Sequence, residues 1–188
     1  MTNVHFDIDT QLDFIYPTGA LYVPGAEAIL PAVVRLNRAA DVVVSTACAH
    51  TETDAEFSDW PRHCIAGTIG QSKPQATLLD KRAIVPPSPA PLSIGGARQI
   101  ILEKRALDLF TNPNLSSLLD ALGADQYVVY GVVTEYCVRF AALGLLRTGK
   151  PVTLVTDAIR ALDEAAAERL FSDFTAGGGR LATVSELV

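Results

Sequence analysis

Three residues of different chemical types follow apolar, strand-like runs of the chain. Asp9 ends the first run, Lys104 closes a later one, and Cys137 comes shortly after another, in the first turn of a predicted helix. A carboxylate can accept the proton of a thiol, and both a helix N-terminus and a nearby ammonium group favour the thiolate. An acid, an amine and a thiol brought together are therefore typical of nucleophilic catalysis by cysteine.

Each of these residues also has an ordinary structural interpretation. A free cysteine in an amphipathic helix usually belongs to the core, and most lysines are solvated on the surface. Asp9 can instead cap the turn that follows it, and Asp13 in the same segment competes with it for either role. Residue type and spacing leave these alternatives open.

The elements that must position the three residues follow from the alternation of apolar, β-rich runs with helical patterns. Six strands are predicted, over residues 4–9, 41–46, 99–103, 127–131, 152–156 and 180–183. The alternation is typical of an α/β fold with an open, mostly parallel sheet and helices on both faces. In that fold ligands bind at the carboxyl ends of the strands, where Asp9, Lys104 and Cys137 are all expected.

Capping residues predict where the helices begin and end. One helix is expected over residues 31–39, and another after Asn112 and Pro113, ending at Gly123. Two more are expected over residues 134–149 and 163–177, each followed by glycine or proline.

The stretch from about residue 47 to residue 98 has no clean periodicity and is longer than an ordinary connection. It contains Trp60, Cys48, Cys64 and both histidines other than His5. Because loops of this length are usually functional or disordered, we interpret it as a binding loop over the sheet, carrying the substrate and metal region. No linker or repeat divides the chain, which predicts a single domain over residues 1–188.

Composition and charge exclude several classes of protein. The chain is 49% hydrophobic with a net charge of −6, which is ordinary for a soluble globular protein, and its lysines and arginines form no stripe. Nucleic acid is therefore not an expected partner, and neither is a membrane. Three cysteines, an odd number, and the lack of a secretory signal predict a reducing compartment, by default the cytoplasm.

Four short segments resemble motifs of the isochorismatase-like cysteine hydrolases, most closely the nicotinamidases. Residues 9–14 (DTQLDF) are similar to the first motif of that family, and residues 101–104 (ILEK) to its lysine strand. Residues 131–138 (GVVTEYCV) are similar to the nucleophile motif, and residues 60–64 (WPRHC) to the segment on the metal side. Together they extend over nearly the whole chain, in the order and on the strands that the family requires.

The resemblance implies a three-layer, Rossmann-like sandwich and a catalytic triad of Asp9, Lys104 and Cys137. It also implies an oxyanion hole formed by the backbone N–H groups of Val133 and Cys137, and a cis peptide bond between Val132 and Val133. The implied reaction converts a small carboxamide to an acid and ammonia through a thioester on the cysteine. Nicotinamide is the leading substrate, which would place the protein in NAD salvage, and relatives often form homo-oligomers.

Three aromatic residues are candidates for the substrate pocket. By the resemblance, Phe14 and Trp60 would form an aromatic slot, although either can equally pack in the core. Tyr136 precedes the cysteine, and its role stays open.

The metal side departs from the family pattern. The family has Asp-x-His after the second strand, where this chain has Cys48 and His50, and Asp54 aligns where the family has a further histidine, while His63 keeps its place. These four residues can hold a divalent ion, and a thiolate would favour Zn²⁺. The alternative is that they are loop and core residues that bind no metal, with Cys64 structural.

Two other interpretations stay open. Without a metal, the protein could hydrolyse another small amide or carbamoyl compound. It could also be a vinyl ether hydrolase of the isochorismatase type, although those generally lack the cysteine, or a binding relative without catalytic activity.

Overall fold

A seven-stranded parallel sheet organises the protein, whose computed structural model describes residues 1–188. The strands are β1 (Asn3–Ile8), β2 (Val42–Cys48), β3 (Arg82–Val85), β4 (Gln99–Lys104), β5 (Gln126–Val132), β6 (Val152–Arg160) and β7 (Arg180–Ala182). Every neighbouring pair is parallel, so the predicted α/β class with an open sheet is confirmed.

The prediction of six strands was wrong by one. The additional strand, β3, is a four-residue edge strand that pairs only with β4. Its side chains are largely exposed, and it lies within the stretch that was expected to be a loop, so it lacks the apolar run that marks a buried strand.

Helices cover both faces of the sheet. They are α1 (Leu12–Ile15), α2 (Leu30–Ala39), α3 (Leu115–Leu122), α4 (Arg139–Leu146) and α5 (Glu164–Ala176). Asn37 of α2 receives a hydrogen bond from Tyr130 on one face, whereas Tyr127, three residues earlier on β5, shares a groove with α3 on the other. None of the helices combines the length and hydropathy that crossing a membrane requires.

Most of the predicted helix ends agree with the structure. Asp163 caps α5 by accepting hydrogen bonds from two backbone N–H groups, and Gly123 ends α3 in the left-handed conformation. Asn112 does not cap α3, because Asn114 occupies that position, and the Asn112 side chain instead binds carbonyls of residues 86 and 103. The helix after Thr134 begins as a wide π turn (Thr134–Val138) before α4.

The strand order β3-β4-β2-β1-β5-β6-β7 fixes where a site can form. The chain leaves β1 toward β2 on one side and later returns to place β5 on the other side, so the carboxyl ends of β1 and β5 flank a switch point. In open α/β sheets the crevice at such a point is where ligands bind.

Candidate active site

Four chemically active side chains lie side by side across the carboxyl ends of neighbouring strands. Lys104 and Cys48 end β4 and β2 and are register partners, Asp9 follows β1, and Cys137 lies in the π turn after β5. Strands are ~4.8 Å apart, so Lys104 must reach past β2, a distance of two strand spacings, to meet Asp9. Only a long side chain at this position can bridge that distance.

Lys104 connects the other three groups. Its Nζ lies 2.8 Å from Asp9 Oδ2, 3.3 Å from Cys48 Sγ and 3.5 Å from Cys137 Sγ, and it also donates to the Ala106 carbonyl at 3.0 Å. Burial alone would lower the pKa of this amine, but the negative charge of Asp9 and the two sulfurs raise it well above its ordinary value. The amine is therefore a permanent cation at the centre of the site.

Asp9 is buried and held in one orientation. Its backbone has a φ of +47°, in the left-handed region, and Thr46 both donates to its carboxylate at 2.6 Å and accepts from its backbone N–H at 3.1 Å. Burial would raise the pKa of the carboxyl, but Lys104, Thr46 and Cys137 outweigh it and lower the pKa below its usual value. Asp9 is thus an ionised carboxylate beside a thiol, the arrangement a general base requires.

Cys137 is buried at the edge of the pocket, next to Asp9 and Lys104. Burial raises the pKa of its thiol well above the ordinary value, and the charge of Asp9 adds to this, while Lys104 only partly offsets the two. The ammonium group favours the thiolate, as the sequence suggests, but burial has the larger effect on the pKa. The neighbouring Asp9 carboxylate can accept the proton that the thiol must lose to become a nucleophile.

The segment before Cys137 has the backbone that the resemblance implied. The peptide bond between Val132 and Val133 is cis, and Val133 and Cys137 both line the pocket. The backbone N–H groups of these two residues remain the candidates for an oxyanion hole.

A cavity of about 120 Å³ opens beside the cysteine, and 12 of its 15 lining residues are hydrophobic. Phe14, Trp60 and Tyr136 are all among them, and the Trp60 and Tyr136 rings meet edge to face with centroids 5.2 Å apart. The sequence prediction missed other apolar walls of the cavity, which come from loops without any periodic pattern: Leu21, Val23, Leu107 and Leu162.

The metal side brings three of its four predicted residues together. Ligand atoms of Cys48, His50 and His63 all lie within 4.8 Å of one another. Asp54 is not part of this group, because its carboxylate binds His50 Nδ1 at 3.0 Å, on the far side of that ring. Glu56 faces the cluster instead, with Oε1 3.9 Å from Nε2 of His50 and 3.7 Å from Nε2 of His63.

Glu56 was not predicted from the sequence, because a turn sets the direction in which its side chain points. A 3₁₀ turn (Ala55–Ser58) points Glu56 inward, and backbone hydrogen bonds between His50 and residues 64 and 66 bring His63 beside it. A carboxylate two residues beyond Asp54 was visible in the sequence, but spacing alone could not choose between the two.

The two imidazoles of the cluster are neutral and can donate electron pairs to a metal ion. Nε2 of His50 is buried without any hydrogen-bond partner. Burial lowers the pKa of both imidazoles and raises that of Glu56. Neutral imidazoles with free lone pairs beside a thiol and a carboxyl are the donor set that binds divalent ions, so these residues can hold a metal.

Asp13 and Cys64, the other candidates of their types, have structural contacts. Asp13 accepts hydrogen bonds from the backbone N–H groups of Ala20 and Cys64, at 3.0 and 2.6 Å, and so ties two loops together. Cys64 is buried away from the pocket, and its thiol donates weakly to the Gly70 carbonyl. Asp9 and Cys137 therefore remain as the candidate acid and thiol.

Comparison with known proteins gives a consistent result. Residues 4–186 match the isochorismatase domain family. A nicotinamidase/pyrazinamidase of Mycobacterium tuberculosis is 31% identical over 160 residues, which are 80% of this chain and 82% of that protein.

Solved structures agree with the sequence matches. The pyrazinamidase of Pyrococcus horikoshii in complex with zinc has a TM-score of 0.79 at 28% identity, over 97% of this chain and 99% of its own. PnC1 from L. infantum in complex with nicotinate has a TM-score of 0.82 at 26% identity, over 100% of this chain and 95% of its own.

Proposed function

The chain belongs to the isochorismatase family and is a nicotinamidase-like hydrolase. We propose that it hydrolyses a small carboxamide through a thioester on Cys137. Nicotinamide, which would give nicotinate, is the leading substrate. The observation that carries the proposal is the contact of an ionised carboxylate and an ammonium group with one buried thiol, at the edge of a pocket of small-molecule size.

In the first half of the reaction, Asp9 removes the proton of the Cys137 thiol as the sulfur attacks the amide carbon. The carbonyl oxygen becomes an oxyanion, which we expect the backbone N–H groups of Val133 and Cys137 to stabilise. Collapse of this intermediate breaks the C–N bond, and Asp9 returns its proton to the leaving nitrogen, so that ammonia departs and a thioester remains.

In the second half, Asp9 accepts a proton from water, and the resulting hydroxide attacks the thioester carbon. The C–S bond breaks, the acid is released, and the thiol is regenerated with the proton from Asp9. Throughout the cycle Lys104 keeps a positive charge beside the sulfur and the carboxylate, which offsets the cost of ionising a thiol in a buried site.

We further propose that Cys48, His50, His63 and Glu56 would hold a zinc ion. Neutral imidazoles, a carboxylate and a thiolate are all ligands that zinc accepts. When bound, the ion would supply a fixed positive charge that neutralises Glu56 and Cys48 beside the pocket. The reaction steps above need only the side chains of the chain itself.

The test is ammonia release from a panel of small amides, with and without added Zn²⁺. Wild-type protein is expected to release ammonia and Cys137→Ala to release none, while Cys64→Ala, which removes a buried thiol outside the pocket, keeps the activity. Failure to turn over any amide, together with a Cys137 that resists mild alkylation, would contradict the proposal. A cytoplasmic location and a homo-oligomer stay predictions.

A further inference from the structure

A second buried ion pair lies close to Asp9 and takes no part in the proposed reaction. Asp7 of β1 is fully buried, and its Oδ2 lies 3.2 Å from Nζ of Lys73, whose side chain is 3% exposed. Lys73 comes from the segment before β3, and neither residue lines the pocket. Because removing two charges from water is costly, a buried pair contributes less to stability than its contacts suggest. Its place beside the active site indicates a second role.

Thr10 connects this pair to Asp9. Its buried hydroxyl donates to Oδ1 of Asp7 at 2.6 Å and accepts from Nζ of Lys73 at 2.9 Å. The hydrogen bond between Thr10 and Asp7 spans Ile8 and Asp9, so it closes a ring around the residue whose φ is +47°. Since a residue with a Cβ is strained in the left-handed region, it keeps this conformation only where its surroundings impose it. The ring is such a restraint.

The segment that carries Lys73 is fixed against the residues that follow Thr10. The backbone N–H of Leu12 donates to the carbonyl of Ser72 at 2.8 Å, one residue before the lysine. An ammonium group can only donate hydrogen bonds, so the Thr10 oxygen must accept from Lys73, and the hydroxyl hydrogen is left for Asp7. The lysine therefore sets the direction in which the threonine hydroxyl donates.

We propose that Thr10 is a positioning residue: held by the buried ion pair, it keeps the carboxylate of Asp9 in place beside Cys137. Thr10 does not line the pocket, so it acts only through the backbone of Asp9. The inference rests on the proposed function, in which Asp9 is the general base. Asp7 and Lys73 thereby contribute to the reaction without touching the substrate.

The first experiment measures the steady-state kinetics of Thr10→Val and Thr10→Ser on the amide that the wild-type protein hydrolyses fastest. Valine keeps the shape of threonine without the hydroxyl, whereas serine keeps the hydroxyl. For Thr10→Val we expect kcat to fall ~10²-fold, because a misplacement of about 1 Å has an effect of that order. KM should change less than about threefold, since no contact with the substrate is removed, and Thr10→Ser should keep kcat within about threefold.

Three kinetic results would overturn the inference: a wild-type kcat in Thr10→Val, a loss that appears in KM instead of kcat, or a Thr10→Ser as impaired as Thr10→Val. Asp9→Asn in the same assay separates this failure from that of the proposed function. If Asp9→Asn keeps the wild-type activity, the proposed general base is wrong. An inactive Asp9→Asn together with a fully active Thr10→Val refutes only the positioning role.

Ser45→Ala is the matched control, because Ser45 also donates a buried hydrogen bond to Asp7, at 2.9 Å from Oδ2. This bond comes from β2 and does not span Asp9. We expect the urea midpoints of Ser45→Ala and Thr10→Val to fall by similar amounts, but kcat to fall only in Thr10→Val. An equal loss of kcat in the two variants would show that general destabilisation is the cause, and would overturn the inference.

The second experiment needs no turnover and compares crystal structures of the wild-type protein and Thr10→Val. In the variant, we expect Asp9 to leave the left-handed region or its carboxylate to move out of contact with Lys104. If Thr10→Val does not fold, Thr10→Ala replaces it in both experiments, since the smaller side chain leaves space for a water that can bind Asp7 and Lys73. An Asp9 that keeps both its φ and its contact with Lys104 in the variant would overturn the inference.

Discussion

Replacing Lys104 by methionine removes the only cation in contact with Asp9. The two side chains are each 1% exposed and their charged atoms are 2.8 Å apart, so the variant leaves a buried carboxylate without a counterion. Breaking such a pair costs ~3–5 kcal/mol of unfolding free energy. Methionine nearly keeps the length of the lysine stem, so a cavity adds little to this loss.

The assay is urea denaturation of Lys104→Met, Asp9→Asn and the double variant. With an m-value of ~2 kcal/mol/M, the midpoint of Lys104→Met should fall by about 2 M. The double variant keeps neither charge of this pair, so it should be more stable than Lys104→Met alone, yet remain without amidase activity. Arg62→Met, which breaks an exposed pair with Glu52, should leave the midpoint unchanged.

Strictly additive losses in the double variant would refute the reasoning, because two residues that stabilise each other's charge must show coupling. A double variant that recovered ammonia release together with stability would refute the catalytic roles. The cycle thus separates the contribution of the pair to folding from its contribution to the reaction.

Three further predictions concern stability. Gly131→Ala should cost more than about 3 kcal/mol, because φ is +119° and the new Cβ would lie 2.1 Å from the Ile8 carbonyl oxygen. Gly123→Ala, with φ of +55° and open space around it, should cost only about 1 kcal/mol. Burial lowers the pKa of His5 from 6.5 to about 4, so the unfolded chain takes up that proton first, and about 3 kcal/mol of stability should be lost as the pH falls through this window. Lys73→Met should cost ~3–5 kcal/mol, because it leaves the buried Asp7, 3.2 Å from the lysine Nζ, without a counterion.

Denaturation curves check all three. Equal losses in the two glycine variants would contradict the importance of the close approach at Gly131. The pH dependence should be weaker in His5→Asn, and an unchanged slope would show that other groups cause it. Lys73→Arg keeps a cation near Asp7, so it should lose less stability than Lys73→Met, and equal losses would show that the charge is not what matters.

The sheet and the grouping of Asp9, Lys104 and Cys137 at one edge of it were predictable because they follow from local patterns. Apolar runs ending in Asp9 and Lys104 indicated strands, and parallel strands bring their carboxyl ends to one edge. Strand β3 could not be predicted, because an exposed edge strand of four residues carries no burial pattern and is stabilised by pairing with β4.

The details of the site depended on tertiary contacts. His63 lies beside Glu56 because His50 pairs with Ile65, fifteen positions later, which spacing does not reveal. In the sequence nothing distinguishes Thr46 from other threonines on strands. Only the pairing of β2 with β1 brings its hydroxyl to the Asp9 carboxylate. The raised pKa of Cys137 likewise depends on how deeply the folded chain buries its thiol.

During the proposed reaction the acyl group of the substrate is transferred to Cys137. The most direct measurement is the intact mass of protein quenched with acid during turnover of a small amide, followed by peptide mapping. A transient gain equal to the mass of the acyl group is expected on the peptide that contains Cys137 and on no other. Ammonia release that persists in Cys137→Ala, or an acyl group found on Cys48 or Cys64 instead, would contradict it.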